Sequence, residues 1–310
     1  MAFGSAWKGP NELRDVIYRE VEVKSALNEV RGMPFEWSLN PYLGCAHACV
    51  YCFARAYHAR YRERDVGSDF DKNVEARVNI ADTLRRELRR PRSGSLAIGT
   101  ATDPYQPIEG KYRLTRRCLE ALVDHPLPTS IVTKGPLVVR DIDVLQELDA
   151  RTDLTVFFSV PCVDEEIVRK TDPGTASARQ RLRALSTLRA AGLDAAVLCM
   201  PVLPGISDSE ESLDAAARAA SNAGATAFRH RPLKIDGEIH EYYFDFVGAH
   251  FPALLPKYAS LYGNSNHPSK EYERELEQRV RRVTARYEFQ QRPPRVRIVE
   301  RETEQLQLAM

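Results

Sequence analysis

Beginning at Trp37, short apolar runs that end in polar loops alternate with segments of helical spacing. The runs lie in WSLNPYLG (37–44), SLAIGTATD (95–103), SIVTK (130–134), LTVFFSVP (154–161), DAAVLCMPVLPG (194–205) and ATAFRHRPL (225–233). Each is continuous in its apolar character, as expected of a parallel strand covered by helices. The segments 54–64, 74–90, 114–124, 141–150, 178–191 and 208–223 read as the helices. Strand–helix units repeated in this way connect right-handedly and curl into a barrel or an open doubly wound sheet.

The flanks break the pattern. Residues 1–35 are polar and mixed and read as an N-terminal arm, 36–235 as the α/β unit, and 236–310 as a helical C-terminal cap and tail. A length of 310 residues accommodates one large domain or two small ones. A net charge of +1 argues against a whole-domain nucleic-acid footprint. No run of about 18 apolar residues exists, so no membrane span is expected. The first fifteen residues lack the apolar core of a signal peptide. The expectation is a cytoplasmic chain in a reducing compartment, where clustered cysteines serve as metal ligands more often than as disulfides.

Three of the six cysteines fall within eight residues: Cys45, Cys49 and Cys52, spaced C-x3-C-x2-C. Cys118, Cys162 and Cys199 are dispersed within helix and strand patterns and read as core. A structural zinc site takes four ligands, usually as two spaced pairs. One compact triplet leaves two readings. Either His47 completes a zinc site, or three thiolates hold three irons of a [4Fe–4S] cluster and leave the fourth iron open. Clusters that only carry electrons usually take four Cys, so the missing ligand points to chemistry at the metal. The loop follows the first strand, at the carboxyl end where α/β folds bind ligands.

The segment CAHACVYC, with Tyr51 just before the third cysteine, resembles the signature of radical S-adenosylmethionine (radical SAM) enzymes. More closely, the chain from about 25 to 262 resembles the spore photoproduct lyase-like branch of that superfamily, in particular its actinobacterial members of unassigned function. The segments SALNEV, LNPYLGCAHACVYCFARAYH, GTATDPYQPIEGKYRLTR, VTKGPLVVRDIDVL and MPVLPGISD carry the likeness as a set. The resemblance implies a partial (β/α)6 TIM-like barrel whose cluster binds SAM through the amino and carboxylate groups. One electron then cleaves the S–C5′ bond, and the 5′-deoxyadenosyl radical abstracts hydrogen from a substrate. It implies a lyase-like or transferase-like enzyme served by an electron donor such as flavodoxin or ferredoxin.

The same resemblance assigns further positions. Gly99, Thr100, Thr102 and Asp103 are expected around the methionyl amine, although D-P-Y-Q-P is also ordinary turn chemistry. Asp103, Tyr105 and Glu109 are alternative substrate-facing groups, with Lys111 and Arg116 solvated. Lys134 is expected at the SAM carboxylate, Ser159 at the ribose, and 202–205 at the adenine. Tyr51 and Asp103 are the expected catalytic positions, and Tyr51 is expected to contact the cofactor as well. Two departures stand out: Thr100 or a neighbour occupies the place of the lyase's hydrogen-donating cysteine, and Phe53 that of a tyrosine. Thymine-dimer reversal by the lyase's route is therefore not expected. Cys162 is either a substitute thiol or a structural one. Arg279, Arg281, Arg282, Arg286, Arg292 and Arg295, among Tyr272, Tyr287 and Phe289, are suited to nucleic acid or to a solvated helix. The alternatives to an enzyme are a cluster-bearing nucleic-acid-binding or DNA-repair-like protein and a zinc-stabilised barrel.

Overall fold

In the computed structural model, which describes residues 16–292 apart from 63, 64, 91, 236 and 264, ten strands form two sheets. They are β1 (Ile17–Val21), β2 (Leu27–Glu29), β3 (Trp37–Leu39), β4 (Tyr42–Leu43), β5 (Asn73–Arg77), β6 (Leu96–Ile98), β7 (Thr129–Thr133), β8 (Leu154–Ser159), β9 (Ala195–Val202) and β10 (Phe228–Pro232). The larger sheet has the order β10-β9-β8-β7-β6-β3-β2. Its six apolar runs pair in parallel with their sequence neighbours, and β2 adds antiparallel to β3. With β2 and β10 as edges the sheet does not close, which makes a partial (β/α)6 barrel.

Among the described residues, twelve α-helices accompany the strands: α1 (Ala54–Arg62), α2 (Ser68–Lys72), α3 (Ile80–Leu88), α4 (Glu109–Tyr112), α5 (Leu114–Asp124), α6 (Ile142–Arg151), α7 (Glu165–Thr171), α8 (Ala178–Ala190), α9 (Glu210–Asn222), α10 (Gly237–His250), α11 (Leu255–Tyr262) and α12 (Lys270–Thr284). Ile98, Ile131, Val156, Phe158 and Val197 point outward into the core with Leu119, Leu145 and Leu185. The opposite face differs from the expectation of strands covered on both sides. There Ser130, Val132, Thr155, Phe157, Leu198 and Met200 are only half-buried. A barrel has a lumen in place of a second helix layer, so the inner residues keep solvent contact.

The second sheet, β1-β5-β4, corrects the expected helix over 74–90. Residues 73–77 pair in parallel with β1 and antiparallel with β4, and the helix is α3 alone. Val74 and Ala76 are fully buried in this pairing, which overrides local helix preference. The run WSLNPYLG likewise divides at Pro41 between the two sheets. In the cap, Ile239, Tyr243, Phe246 and Tyr258 pack against Val50, Tyr51 and Ala56, which brings the chain after β10 onto the cysteine loop. Tyr272, Leu276, Val280 and Val283 of α12 pack on Cys199, Val202 and Leu213. Among the described residues no helix is long and apolar enough to cross a membrane.

Candidate active site at the cysteine loop

The loop opens at Gly44, where φ is +81° and a Cβ would lie 2.5 Å from the Asn73 carbonyl oxygen. Only glycine passes this close to β5 in that conformation. The Gly44 carbonyl accepts from Thr102 Oγ1 (2.7 Å) and Gln106 Nε2 (3.2 Å), while the Ala46 N–H donates to Gln106 Oε1 (3.1 Å). Cys45 N–H donates to the Phe70 carbonyl and Val50 N–H to that of Thr171. The His47 carbonyl accepts from Gly174 N–H. Three separate segments, 70–73, 102–106 and 171–174, therefore fix the loop backbone. Thr102 supports the loop here; its hydroxyl is committed to a carbonyl.

Behind the loop lies Arg55, fully buried. Its Nε donates to the Cys49 carbonyl (2.8 Å), Nη1 to the Val66 and Gly67 carbonyls (2.9 Å each), and Nη2 to Asp71 Oδ1 (2.6 Å). The guanidinium lies 5.0 Å from the Phe70 ring centroid and 4.8 Å from that of Tyr242. Burial alone would lower its pKa, but Asp71, Tyr242 and Cys52 together outweigh it and keep the guanidinium charged. A buried cation this fully satisfied ties the middle of the loop to α2.

Cys45 and Cys49 are buried and Cys52 half-buried, and all three are free thiols. Burial raises each thiol's pKa, that of Cys45 to about 12, with the Asp103 charge adding to it. Cys52 adds to the rise at both Cys45 and Cys49. Three thiolates are therefore costly here without a cationic centre between them. This donor set fits an iron–sulfur cluster, which takes thiolates on separate irons. Among the described residues, no three His, Cys, Asp or Glu side chains are grouped to hold one metal ion. His47 Nδ1 lies 3.3 Å from Asp103 Oδ2.

Lys134, at the end of β7, comes closest to the thiols. Its buried Nζ is 3.3 Å from Cys49 Sγ, 2.8 Å from Tyr51 Oη and 3.2 Å from Asp172 Oδ1. Burial alone would lower its pKa, but Asp172 and Cys49 raise it, so the ammonium persists. Asp172 is pushed up by burial, yet Lys134 and Arg181 outweigh this and hold it below the ordinary carboxylate value. Arg181, fully buried, donates to the Ser159 carbonyl (3.0 Å), and its Nη1 is 3.9 Å from Asp172. Sequence reasoning missed Asp172 and Arg181. Asp172 sits in T-D-P-G, which looks like a plain turn, and Arg181 in a helix rich in arginine, so neither carried a signal.

The remaining expected positions divide. Asp103 Oδ1 accepts from Thr133 Oγ1 and Tyr105 N–H, and Oδ2 from Lys134 N–H (2.6 Å). Its pKa falls despite burial because His47 and these donors stabilise the charge. Gly99, at φ +90°, lets the chain pass against Val132 and Pro104. Thr100 Oγ1 accepts weakly from Asn40 at 3.5 Å. Ser159 Oγ donates to the Met200 carbonyl at 3.2 Å. Val202 and Leu203 are buried, and a Cβ on Gly205 would meet Leu254 of the cap.

Several expectations are corrected. Glu109 faces inward rather than towards a substrate, accepting from Tyr42 Oη, Thr115 N–H, Arg116 N–H and Arg140 Nη2. Arg116 is not merely solvated but paired with Asp141, Asp143 and Glu120. Cys162 accepts from Asp164 N–H and sits 3.8 Å from Ser212 Oγ of α9, on the helix side of the sheet. Phe53 is 53% exposed. The C-terminal arginines are paired too: Arg279 with Asp208, Arg281 with Glu277, Arg282 with Glu210, Arg286 with Glu210 and Asp214, Arg292 with Asp149. Arg295 lies outside the described residues.

Residues 39–216, more than half the chain, match the radical SAM superfamily. The chain belongs to that superfamily. An uncharacterised protein of Mycobacterium tuberculosis is 38% identical over 277 residues, covering 88% of this chain and 81% of that protein. The radical SAM Nalpha-GlyT isomerase of Pseudomonas phage M6 is 25% identical over 54% of this chain and 33% of its own length. Among solved structures, spore photoproduct lyase complexed with dinucleoside spore photoproduct superposes with a TM-score of 0.66 at 15% identity, covering 93% of this chain and 85% of that one. The likeness is one of fold, and the partial barrel is common to both.

Proposed function

We propose that this radical SAM protein is an enzyme. It binds a [4Fe–4S] cluster on Cys45, Cys49 and Cys52 and S-adenosylmethionine beside it, and acts on a substrate in the barrel lumen. When bound, these groups supply one electron for S–C5′ cleavage and a 5′-deoxyadenosyl radical for hydrogen abstraction. The observation that carries the reading is the Lys134 ammonium 3.3 Å from Cys49 Sγ, beside a loop of three free thiols of which two are buried and one half-buried.

Each residue has a physical role in this reading. Lys134 is a fixed cation for the cofactor's carboxylate, and Asp172 holds it in place. Asp103 holds the backbone of Lys134 and the His47 side chain, so its role is positioning. Ser159 lines the same face one strand over. Tyr51 Oη, bonded to Lys134, is a hydroxyl on the cysteine loop that the chain offers to the reaction. Gly99 and Thr100 shape the strand end towards which the cofactor's amine would turn. A low-potential one-electron donor of the flavodoxin or ferredoxin class would serve the cluster in a reducing cytoplasm.

Anaerobic reconstitution tests the reading. It expects about four irons per chain and a change in the electron paramagnetic resonance of the reduced cluster on adding SAM. One zinc and no visible colour would refute it, as would a full cluster indifferent to SAM.

A further inference from the structure

β10 presents two different faces. Phe228 packs at 6.1 Å on Phe289, and His230 Nε2 lies 3.1 Å from Glu277 of α12, so both point outward. Arg229 and Arg231 alternate with them and are exposed. In register, Arg229 sits beside Leu198, and Leu198 beside Ser159, all on the inner face. The Arg229 guanidinium lies 5.5 Å from the ring centroid of Phe157, another inner residue. Arg229 therefore faces the lumen, and Arg231 follows two residues on, exposed, where the pairing of β10 with β9 shifts register between His230 and Pro232.

Among the described residues neither arginine has a carboxylate partner, in contrast to the paired arginines of α12. Lys134 stands on β7, three strands away, or on the order of 14 Å along the sheet. The two cationic positions thus serve different groups. Between them lie the half-buried apolar side chains of Val132, Phe157, Leu198 and Met200. Guanidinium forks match phosphate and carboxylate oxygens, and their neighbours here favour an apolar or aromatic body.

We propose that Arg229 and Arg231 form a substrate subsite for an oxyanion, a phosphate or a carboxylate carried on an apolar or aromatic body. The proposal rests on the lumen being the substrate chamber of the reading above. It makes the substrate an organic anion and orients it, with the anion at β10 and the reacting end towards the cysteine loop.

The test uses reconstituted protein in anaerobic calorimetry with phenyl phosphate and benzoate as probes and phenol as the uncharged control. Binding of at least one anionic probe is expected, at least tenfold tighter than phenol and weakening with salt. Whichever probe binds more tightly identifies phosphate or carboxylate as the preferred anion. R229Q/R231Q should lose at least tenfold in that affinity, and R229K/R231K should recover part of it. Saturating SAM should leave the probe bound. Equal binding to the wild type and R229Q/R231Q, displacement by SAM, or no binding of either anion would overturn the proposal. SAM cleavage is assayed separately. Its absence with probe binding intact would sink the enzymatic reading alone.

Discussion

The cysteine loop and helix α12 are the two parts of the sequence richest in chemical suggestion, and they end differently. On α12 and just beyond it, Arg279, Arg281, Arg282, Arg286 and Arg292 all meet carboxylates of the same chain. A cation already neutralised at short range has little left to offer a phosphate backbone. In the loop, the polar groups are equally well satisfied, but they are spent on the backbone: Thr102, Gln106 and Arg55 hold carbonyls and N–H groups. That leaves three sulfurs together with no partner of their own kind. On β10, Arg229 and Arg231 likewise have no carboxylate partner among the described residues.

The largest effects should come from the loop itself. Replacing Cys45, Cys49 or Cys52 by Ala is expected to abolish the visible cluster absorbance and SAM cleavage, since in the proposed reading each thiolate would hold one iron. Cys118→Ala and Cys199→Ala should leave both intact, because those thiols lie in the outer core. A colourless but folded Cys118→Ala protein would break the contrast between triplet and core cysteines.

Next comes the buried ion pair behind the loop. Arg55→Leu strands Asp71 as an unpaired buried carboxylate and should cost about 3–5 kcal/mol of unfolding free energy. Arg286→Ala, on solvent-screened pairs with Glu210 and Asp214, should leave the unfolding free energy nearly unchanged. Urea denaturation of the two variants measures the difference directly; similar losses would contradict the distinction drawn between the regions.

Smaller effects belong to the strand ends. Lys134→Ala and Ser159→Ala should each weaken SAM binding by roughly 1–3 kcal/mol, the scale of losing a hydrogen bond to a charged or buried group. Iron content should not change. Unaltered affinity of both variants in calorimetry would mean that the cofactor does not lie along the inner face.

The smallest expected effect is a pH dependence at His230. Burial lowers its pKa below the ordinary 6.5, more than Glu277 raises it. The unfolded chain then binds more protons just below 6.5, so stability falls as pH drops through that window and is fully present above it. His230→Gln should flatten this slope in melts taken from pH 5 to 7. An unchanged slope would assign the acid sensitivity elsewhere.

Much of this architecture was legible because it rests on local pattern. Six apolar runs at strand length gave six parallel strands in sequential order, and the cysteine spacing marked the loop. The strand 73–77 was not legible, because its pairing with β1 and β4 is set by distant segments. Among candidate site residues, Lys134 was picked out by the resemblance of its segment, since a lysine closing an apolar strand reads on its own as a snorkelling side chain. Its partner Asp172 was not, since the contact spans 38 residues and T-D-P-G reads as a turn. Thr102 and Glu109 show the converse. Their positions were noticed, but their side chains are bound to the scaffold, and only the three-dimensional hydrogen-bond partners reveal that.

The central claim is that the loop supports reductive cleavage of SAM. The direct measurement incubates anaerobically reconstituted protein with dithionite and SAM and quantifies 5′-deoxyadenosine, beside a C45A/C49A/C52A control. Formation of 5′-deoxyadenosine by the wild type and none by the control is the expected result. A wild-type protein with a full cluster that binds SAM yet yields no more 5′-deoxyadenosine than the control would contradict it.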